Sequence, residues 1–263
     1  MRAADRSRER VIQRVSSSEL LLLGGTRAPS SLAVRLACDS RSVGGKRNED
    51  WFAVSHPNEA GVLLAVADGI STSGAGLTAA QAAIQGLLID SYAAAQGLPT
   101  VPALDRVLHA ANRWMWTYNE QHADSDASVV ALSLLVLWER AYCLAHVGDT
   151  RIYQLRDSRL RRLTADHVWR RADLRHVLRR GIGLDSHLVV DYEEGELKSG
   201  DIWLLVTDGV WEVLGDERMQ AILRSQDRVE HAAAALVEAA YSTQAAYLGR
   251  NDATAIVAKI VDA

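Results

Sequence analysis

Hydrophobic positions along this chain fall into two kinds of run. Short apolar segments bounded by turn residues, at 32–38, 51–55 and 61–68, predict strands. Beyond them the period changes. Leu77, Ala80, Ile84, Leu87, Leu88 and Tyr92 recur at helical spacing over 77–96, as do Leu104, Val107, Leu108, Ala111 and Met115 over 103–121. Pro99 and Pro102 separate the two helices. Strands are expected again at 128–138, at 141–147 across a Glu139-Arg140 turn, at 151–156 and at 159–163. A short arginine-rich helix follows at about 168–180, where Arg171, Arg175 and Arg179 would share one face. Strands at 188–194 and 201–207, a helix from 216, an alanine-rich helix over 228–247 and a strand at 254–261 complete the pattern. Strand groups alternating with helix pairs fit neither a βαβ repeat nor an all-β chain. They predict an α+β fold of two packed sheets with helices on both outer faces.

The first 31 residues stand apart. Arg2, Arg6, Arg8, Arg10 and Arg14 alternate with polar residues, and Ser16 to Ser18 lead into a leucine run with little periodicity. Residues 1–31 are read as a loosely held extension with at most a short helix, and 32–263 as one domain. With 263 residues and 48% of them hydrophobic, the chain can bury a large core. A formal net charge of -4 offers no general attraction to nucleic acid or anionic membrane. The apolar run at 20–23 is too short for a secretion signal, and 129–138 is about half the roughly 20 residues of a membrane span. Cys38 and Cys143 lie in apolar stretches without metal-site spacing and read as reduced, buried thiols. A cytoplasmic protein is expected.

The candidate chemistry lies in aspartates at strand ends. Asp50 opens a strand, Asp68 and Asp208 each close one and precede a glycine, Asp149 follows another, and Asp252 precedes the last. Any one Asp-Gly pair is an ordinary turn. Carboxylates projecting from neighbouring strand ends, however, suit a hard divalent cation, which takes oxygen ligands and waters. Competing signals are weaker. Residues 74–79 match a dinucleotide-binding glycine pattern but lie five residues beyond their strand and lack the acidic partner. His122, Asp124 and Asp126 read as a solvated loop, and no serine-hydrolase, zinc-protease or P-loop motif is present.

In order, Arg47-Asn48-Glu49-Asp50, Val66-Ala67-Asp68-Gly69, the segment 144–153 around Gly148-Asp149-Thr150-Arg151, Thr164-Ala165-Asp166-His167, Gly181-Ile182-Gly183, Gly200-Asp201 and Thr207-Asp208-Gly209-Val210-Trp211 resemble the bacterial branch of the metal-dependent protein phosphatase 2C family. The resemblance covers about 32–261. It implies a four-layer αββα sandwich of two antiparallel sheets with helix pairs on both outer faces. It also implies a serine/threonine protein phosphatase with two Mn2+ or Mg2+ ions, and a third bound more weakly, in which a water bridging two metals attacks phosphorus. Asp68 matches the bridging aspartate, Gly69 the carbonyl ligand, Asp208 a direct ligand, and Glu49 and Asp50 the acids that hold metal-bound waters. Asp149 matches a ligand shared with Asp208 by the third ion. Asp68, Asp208 and Asp50 are thus the expected catalytic acids.

This sequence departs from the family at four points. The usual phosphate-binding arginine position is Gly45, leaving Arg47 and Arg41 as candidates. Ile70-Ser71-Thr72 replaces the usual Met-Gly-Gly or His-Gly-Gly, so no histidine there can act as general acid. The last motif reads Asn251-Asp252-Ala253-Thr254 where Asp-Asn-x-Thr is usual; Asp252 carries the charge, while Asn251 holds the ligand position. The flap beside the site, about 168–183, is shorter than the family's. The implied partners are a phosphorylated protein and a cognate serine/threonine kinase, with the enzyme acting as a monomer. The rival reading is a pseudophosphatase that holds a phosphoprotein without turning it over.

Overall fold

The computed structural model describes residues 20–23, 32–42, 48–55, 61–71, 78–79, 81–83, 85, 101–122, 127–171, 174, 177–244 and 251–262. They build two antiparallel sheets. The first has six strands, β1 (Leu20–Leu23), β2 (Leu32–Arg41), β11 (Ala253–Asp262), β10 (Ile202–Val206), β7 (Arg151–Arg156) and β8 (Arg159–Arg162), in that spatial order. The second has five, in the order β3 (Asp50–Ser55), β4 (Val62–Ser71), β5 (Ser128–Trp138), β6 (Ala141–Val147) and β9 (Asp191–Glu196). Helix α1 (Val101–Gln121) covers the second sheet, and helical residues within 78–85 join it through Ala79 and Ala83. Helices α2 (Asp208–Ser225) and α3 (Val229–Gln244) cover the first sheet. The expected αββα sandwich is the observed fold. Among the described residues, no helix is long and apolar enough to cross a membrane.

Strand periodicity explains the layering. In β4 both faces are buried, so the run reads as continuously apolar. Leu63, Ala65 and Ala67 point to the helix layer with Leu104 and Leu108, whereas Val62, Leu64 and Val66 point to the other sheet. The same parity puts Phe52 and Val54 of β3, Leu36 and Cys38 of β2, Trp203 and Leu205 of β10, and Ile256, Ala258 and Ile260 of β11 between the sheets. Following each inner-face series to one end of the sandwich reaches Asp68, Asp50, Ser40, Thr207 and Thr254 in turn. Five strands thus change from apolar to polar on the same face at the same end.

Three expectations change. Leu20–Leu23, assigned to the extension, pairs with β2 in register Leu20↔Leu36 to Leu23↔Ala33 and is the sheet's edge strand. The helix expected from 216 is the second part of α2; the first begins at Asp208, and Gly215 at φ 67 kinks the element between them. No described residue of the arginine-rich stretch at 168–180 is helical. The Trp169 N–H donates to the Val177 carbonyl (3.2 Å), the Arg179 N–H donates to that of His167 (2.7 Å), and Val168 and Leu178 form an antiparallel bridge. Three arginines four apart would repel along a helix, and antiparallel pairing draws the two arms together. Arg175 lies outside the described residues, and Arg171 and Arg179 share no helical face.

Trp203 is fully buried at the inter-sheet core, its ring 4.6 Å from that of Tyr142, and its indole nitrogen has no hydrogen-bond partner among the described residues. Trp203→Ala is expected to lower unfolding stability by about 3–5 kcal/mol. Trp203→Phe should cost much less, because no hydrogen bond is lost with the indole. Denaturant titration of both variants checks this, and equal losses would contradict it.

Candidate functional site

At the polar end of the sandwich, Asp50 begins β3 directly opposite Asp68 of β4. Two like charges at opposed strand positions repel, and both face the seam between the sheets. Asp50 Oδ2 accepts the hydroxyls of Thr207 (2.8 Å) and Thr254 (2.7 Å), each fully buried. The Thr254 N–H donates to Thr207 Oγ1 (3.0 Å). Since Thr254 Oγ1 donates to Asp50, it accepts from Ser40 Oγ (2.7 Å), which in turn accepts from Asn48 Nδ2 (2.8 Å). The Asp50 N–H returns to Asn48 Oδ1 (3.0 Å), closing a ring of hydrogen bonds across both sheets.

Glu49 lies beside this ring. Its backbone N–H donates to Asp252 Oδ2 (2.6 Å), its carbonyl accepts the Gly69 N–H (3.2 Å), and its Oε1 accepts the Ser71 hydroxyl (3.0 Å). Asp208 opens α2, and its Oδ2 accepts the Asn251 amide (2.7 Å). Gly209 follows because a Cβ there would meet the Asp252 carbonyl oxygen at 2.0 Å. Gln244 of α3 clasps the same junction, donating to the Gly209 carbonyl (2.7 Å) and accepting the Asn251 N–H (2.8 Å).

Asp149 sits in the turn between β6 and β7. Gly148 takes φ +104 there, and a Cβ on it would lie 2.4 Å from that of Ala131. Only glycine suits both demands. The Trp211 indole N–H holds the Asp149 carbonyl (2.9 Å), and the Arg151 guanidinium stacks 3.3 Å from the Trp211 ring while forking onto Asp166 (2.8 and 2.7 Å). His167 braces the turn from below, its Nδ1 accepting the Gly148 N–H (3.2 Å). Asp149 Oδ1 is buried, with no hydrogen-bond partner among the described residues.

Asp50 and Asp149 are buried, Asp68 and Asp208 are half-buried, and all four lie among like charges. Burial raises Asp50 and Asp68 well above the ordinary carboxylate range; the two threonine hydroxyls pull Asp50 partly back, while Asp208 and Asp50 push Asp68 further. Burial, with Asp166 next, lifts Asp149 to about 6; burial, with Asp149 and Glu212, lifts Asp208 to about 7. Burial also raises the Cys38 and Cys143 thiols to about 12, which leaves no thiolate nucleophile near neutrality. Among the described residues, no three His, Cys, Asp or Glu side chains form a finished metal cage. The acids influence one another electrostatically without forming such a cage.

Asp50, Asp68, Asp149, Asp208 and Asp252 lie within electrostatic reach of one another, and Glu49 and Asn251 are hydrogen-bonded to Asp252 and Asp208. Arg41 does not join them. On β2 it has the outward parity of Ala37 and Asp39, and it binds Glu238 Oε2 (2.6 Å) and covers the Tyr241 ring (3.4 Å) on α3. Arg47 lies outside the described residues, as do residues 74–77 of the glycine pattern and Asp124 and Asp126. Asn251 and Asp252 divide their work: the amide reaches Asp208, and the carboxylate turns to the Glu49 N–H while staying close enough to raise Asp50 and Asp68. Sequence reading missed Thr207, Thr254, Ser40 and Asn48. The available signal was their inner-face parity with the apolar core.

Because the folded chain binds the Asp208 proton more tightly than an unfolded chain, ionisation between about pH 4 and 7 destabilises the fold. In chelator, Asp208→Asn is expected to raise Tm by about 5 °C at pH 8, with the gain fading toward pH 4. Thermal melts across that range check it, and a gain independent of pH would contradict it.

The protein phosphatase 2C family profile matches residues 38–246. The serine/threonine phosphatase stp of Listeria monocytogenes is 24% identical over 229 residues, covering 80% of this chain and 89% of that protein. The serine/threonine protein phosphatase PstP of Mycobacterium tuberculosis is 28% identical over 218 residues, covering 76% of this chain and 40% of that protein. A crystal structure of the PstP catalytic domain, in complex with two manganese ions, superposes with a TM-score of 0.73 at 26% identity, covering 88% of this chain and 100% of that one. The serine/threonine phosphatase of S. agalactiae has the same fold, with a TM-score of 0.76 at 18% identity over 87% of this chain and 99% of that one. With the acid cluster at the end of an αββα sandwich and the family match over most of its length, the chain belongs to the protein phosphatase 2C family.

Proposed function

We propose that this chain removes phosphate from phosphoserine and phosphothreonine in proteins with the help of two divalent cations, Mn2+ or Mg2+. Asp68, the Gly69 carbonyl and Asp208 would hold them, with Glu49, Asp50 and Asp252 or Asn251 around them. Asp208 and Asp149 would hold a third, weaker ion. The observation that carries this reading is Asp149 Oδ1, a buried carboxylate oxygen with no partner among the described residues, beside acids that burial and mutual repulsion push toward protonation. A multivalent cation relieves both conditions, and an all-oxygen donor set suits a hard ion.

Bound there, such ions would lower the pKa of a bound water and offset charge on the phosphoryl oxygens. The chain's own residues orient and exclude. The Trp211 and Arg151 stack holds the Asp149 turn, and the ring through Asn48, Ser40 and Thr254 holds Asp50. Arg41 is occupied by Glu238, so Arg47 is the arginine proposed to receive the phosphate. With Ile70-Ser71-Thr72 offering no histidine, the departing serine or threonine oxygen would take its proton from water or leave as an alkoxide. The partners in this reading are phosphoproteins and the kinase whose work they carry, in the cytoplasm, with the enzyme acting as a monomer. A module that only holds a phosphoprotein finds no support in this arrangement.

Hydrolysis of p-nitrophenyl phosphate and of a phosphothreonine peptide is expected to rise with Mn2+, to stop in chelator, and to fall at least about 100-fold in Asp68→Asn, on the scale of a lost metal-site interaction. Silence of the wild type at millimolar Mn2+, or turnover indifferent to chelator, overturns the reading.

A further inference from the structure

The ring of hydrogen bonds around Asp50 has a direction. A carboxylate oxygen has two lone pairs, and those of Asp50 Oδ2 are taken by Thr207 and Thr254. Neither hydroxyl can turn away. Thr207 Oγ1 already receives the Thr254 N–H, so its own hydrogen points to Asp50. Thr254 receives Ser40, and Ser40 receives Asn48, so each oxygen along the line has its donor and acceptor assigned. Both threonines are 0% exposed, so no water competes for these hydrogens. Oδ2 is thereby closed to any incoming partner, and Oδ1 makes no hydrogen bond among the described residues.

The lock also crosses the seam. Asp50 belongs to the second sheet, Thr254 and Ser40 to the first, and Thr207 to the junction from which Asp208 projects. The carboxylate on one sheet is therefore aimed by hydroxyls carried on the other. We propose that Thr207 and Thr254 are positioning residues that make Asp50 a donor of one oxygen with a fixed direction, through their hydroxyl groups and not through their methyl packing. This rests on the divalent-cation reading above.

The test uses the full chain. Mn2+ binding is measured by isothermal titration calorimetry for wild type, Thr254→Val, Thr207→Val and Thr254→Ser, with phosphopeptide kinetics at saturating Mn2+ and Tm on the same samples. Each valine keeps the shape and loses the hydroxyl. Mn2+ affinity is expected to fall about 10–100-fold in both valine variants, in line with partners that orient a metal ligand. kcat should fall with little change in peptide KM. Thr254→Ser should return affinity to within about threefold of wild type. Ser40→Ala, which keeps both threonines but frees Thr254 to turn, should weaken Mn2+ binding about threefold even if the valine variants do not fold. Unchanged affinity in folded valine variants overturns the proposal, as does a serine variant as weak as the valine, which would assign the effect to methyl packing. If the valine variants do not fold, unchanged affinity in Ser40→Ala overturns it. A wild type that binds no Mn2+ removes the cation reading and this inference together, whereas a binding wild type beside equally binding valines removes this inference alone.

Discussion

A desolvated carboxylate at the seam between two sheets is the constraint on which the site depends. Asp50 is carried by one sheet and satisfied by hydroxyls carried on the other. A buried carboxylate needs charge-stabilising donors, and here those donors lie at a distance of 157 and 204 residues along the chain. Any slip of one sheet against the other would separate Asp50 from Thr207 and Thr254. Sheet register and the geometry around Asp50 are in this sense one property.

The surrounding acids act in the opposite direction. Asp50 faces Asp68 across a strand pair, Asp208 faces Asp149, and each burial raises the cost of ionising the next. Hydrophobic packing on either side holds them in place. The inner faces of β2, β3, β4, β10 and β11 interlock through Leu36, Phe52, Leu64, Trp203 and Ile256 before turning polar at one end. Close-packed interiors transmit little slack, so the acids stay together despite repelling one another. Their repulsion is what gives the site its demand for positive charge.

Rigid backbone features complete the frame. Gly209 lets the first turn of α2 touch the Asp252 carbonyl, and Gly148 lets the Asp149 turn lie on Ala131. These contacts tie the helix layer and the second sheet to the same point. The stretch at 168–180 differs: its two arms pair through Val168 and Leu178, while the Trp169 and Val177 side chains stay exposed.

The sequence by itself determined the layers and most of the acids. A short apolar run at 61–68 bounded by turn residues marked the strand β4, and helical spacing at Leu104, Val107, Leu108 and Met115 marked a helix. Asp68, Asp149 and Asp208 were legible because each follows an apolar strand. Other features were decided only by tertiary structure. Leu20–Leu23 has no pattern that separates an edge strand from a tail until β2 is there to pair with it. The stretch at 168–180 has arginines at helical spacing, yet its ends are held by antiparallel pairing between Val168 and Leu178. Arg41 was a reasonable phosphate ligand until strand parity turned it toward Glu238. Parity puts Thr207, Thr254 and Ser40 on the inner face, but nothing in the sequence says which side chain they meet there. Their role depends on which side chain lies across the seam, and hydrogen bonds between positions so far apart in the chain exist only once two sheets are stacked in one register.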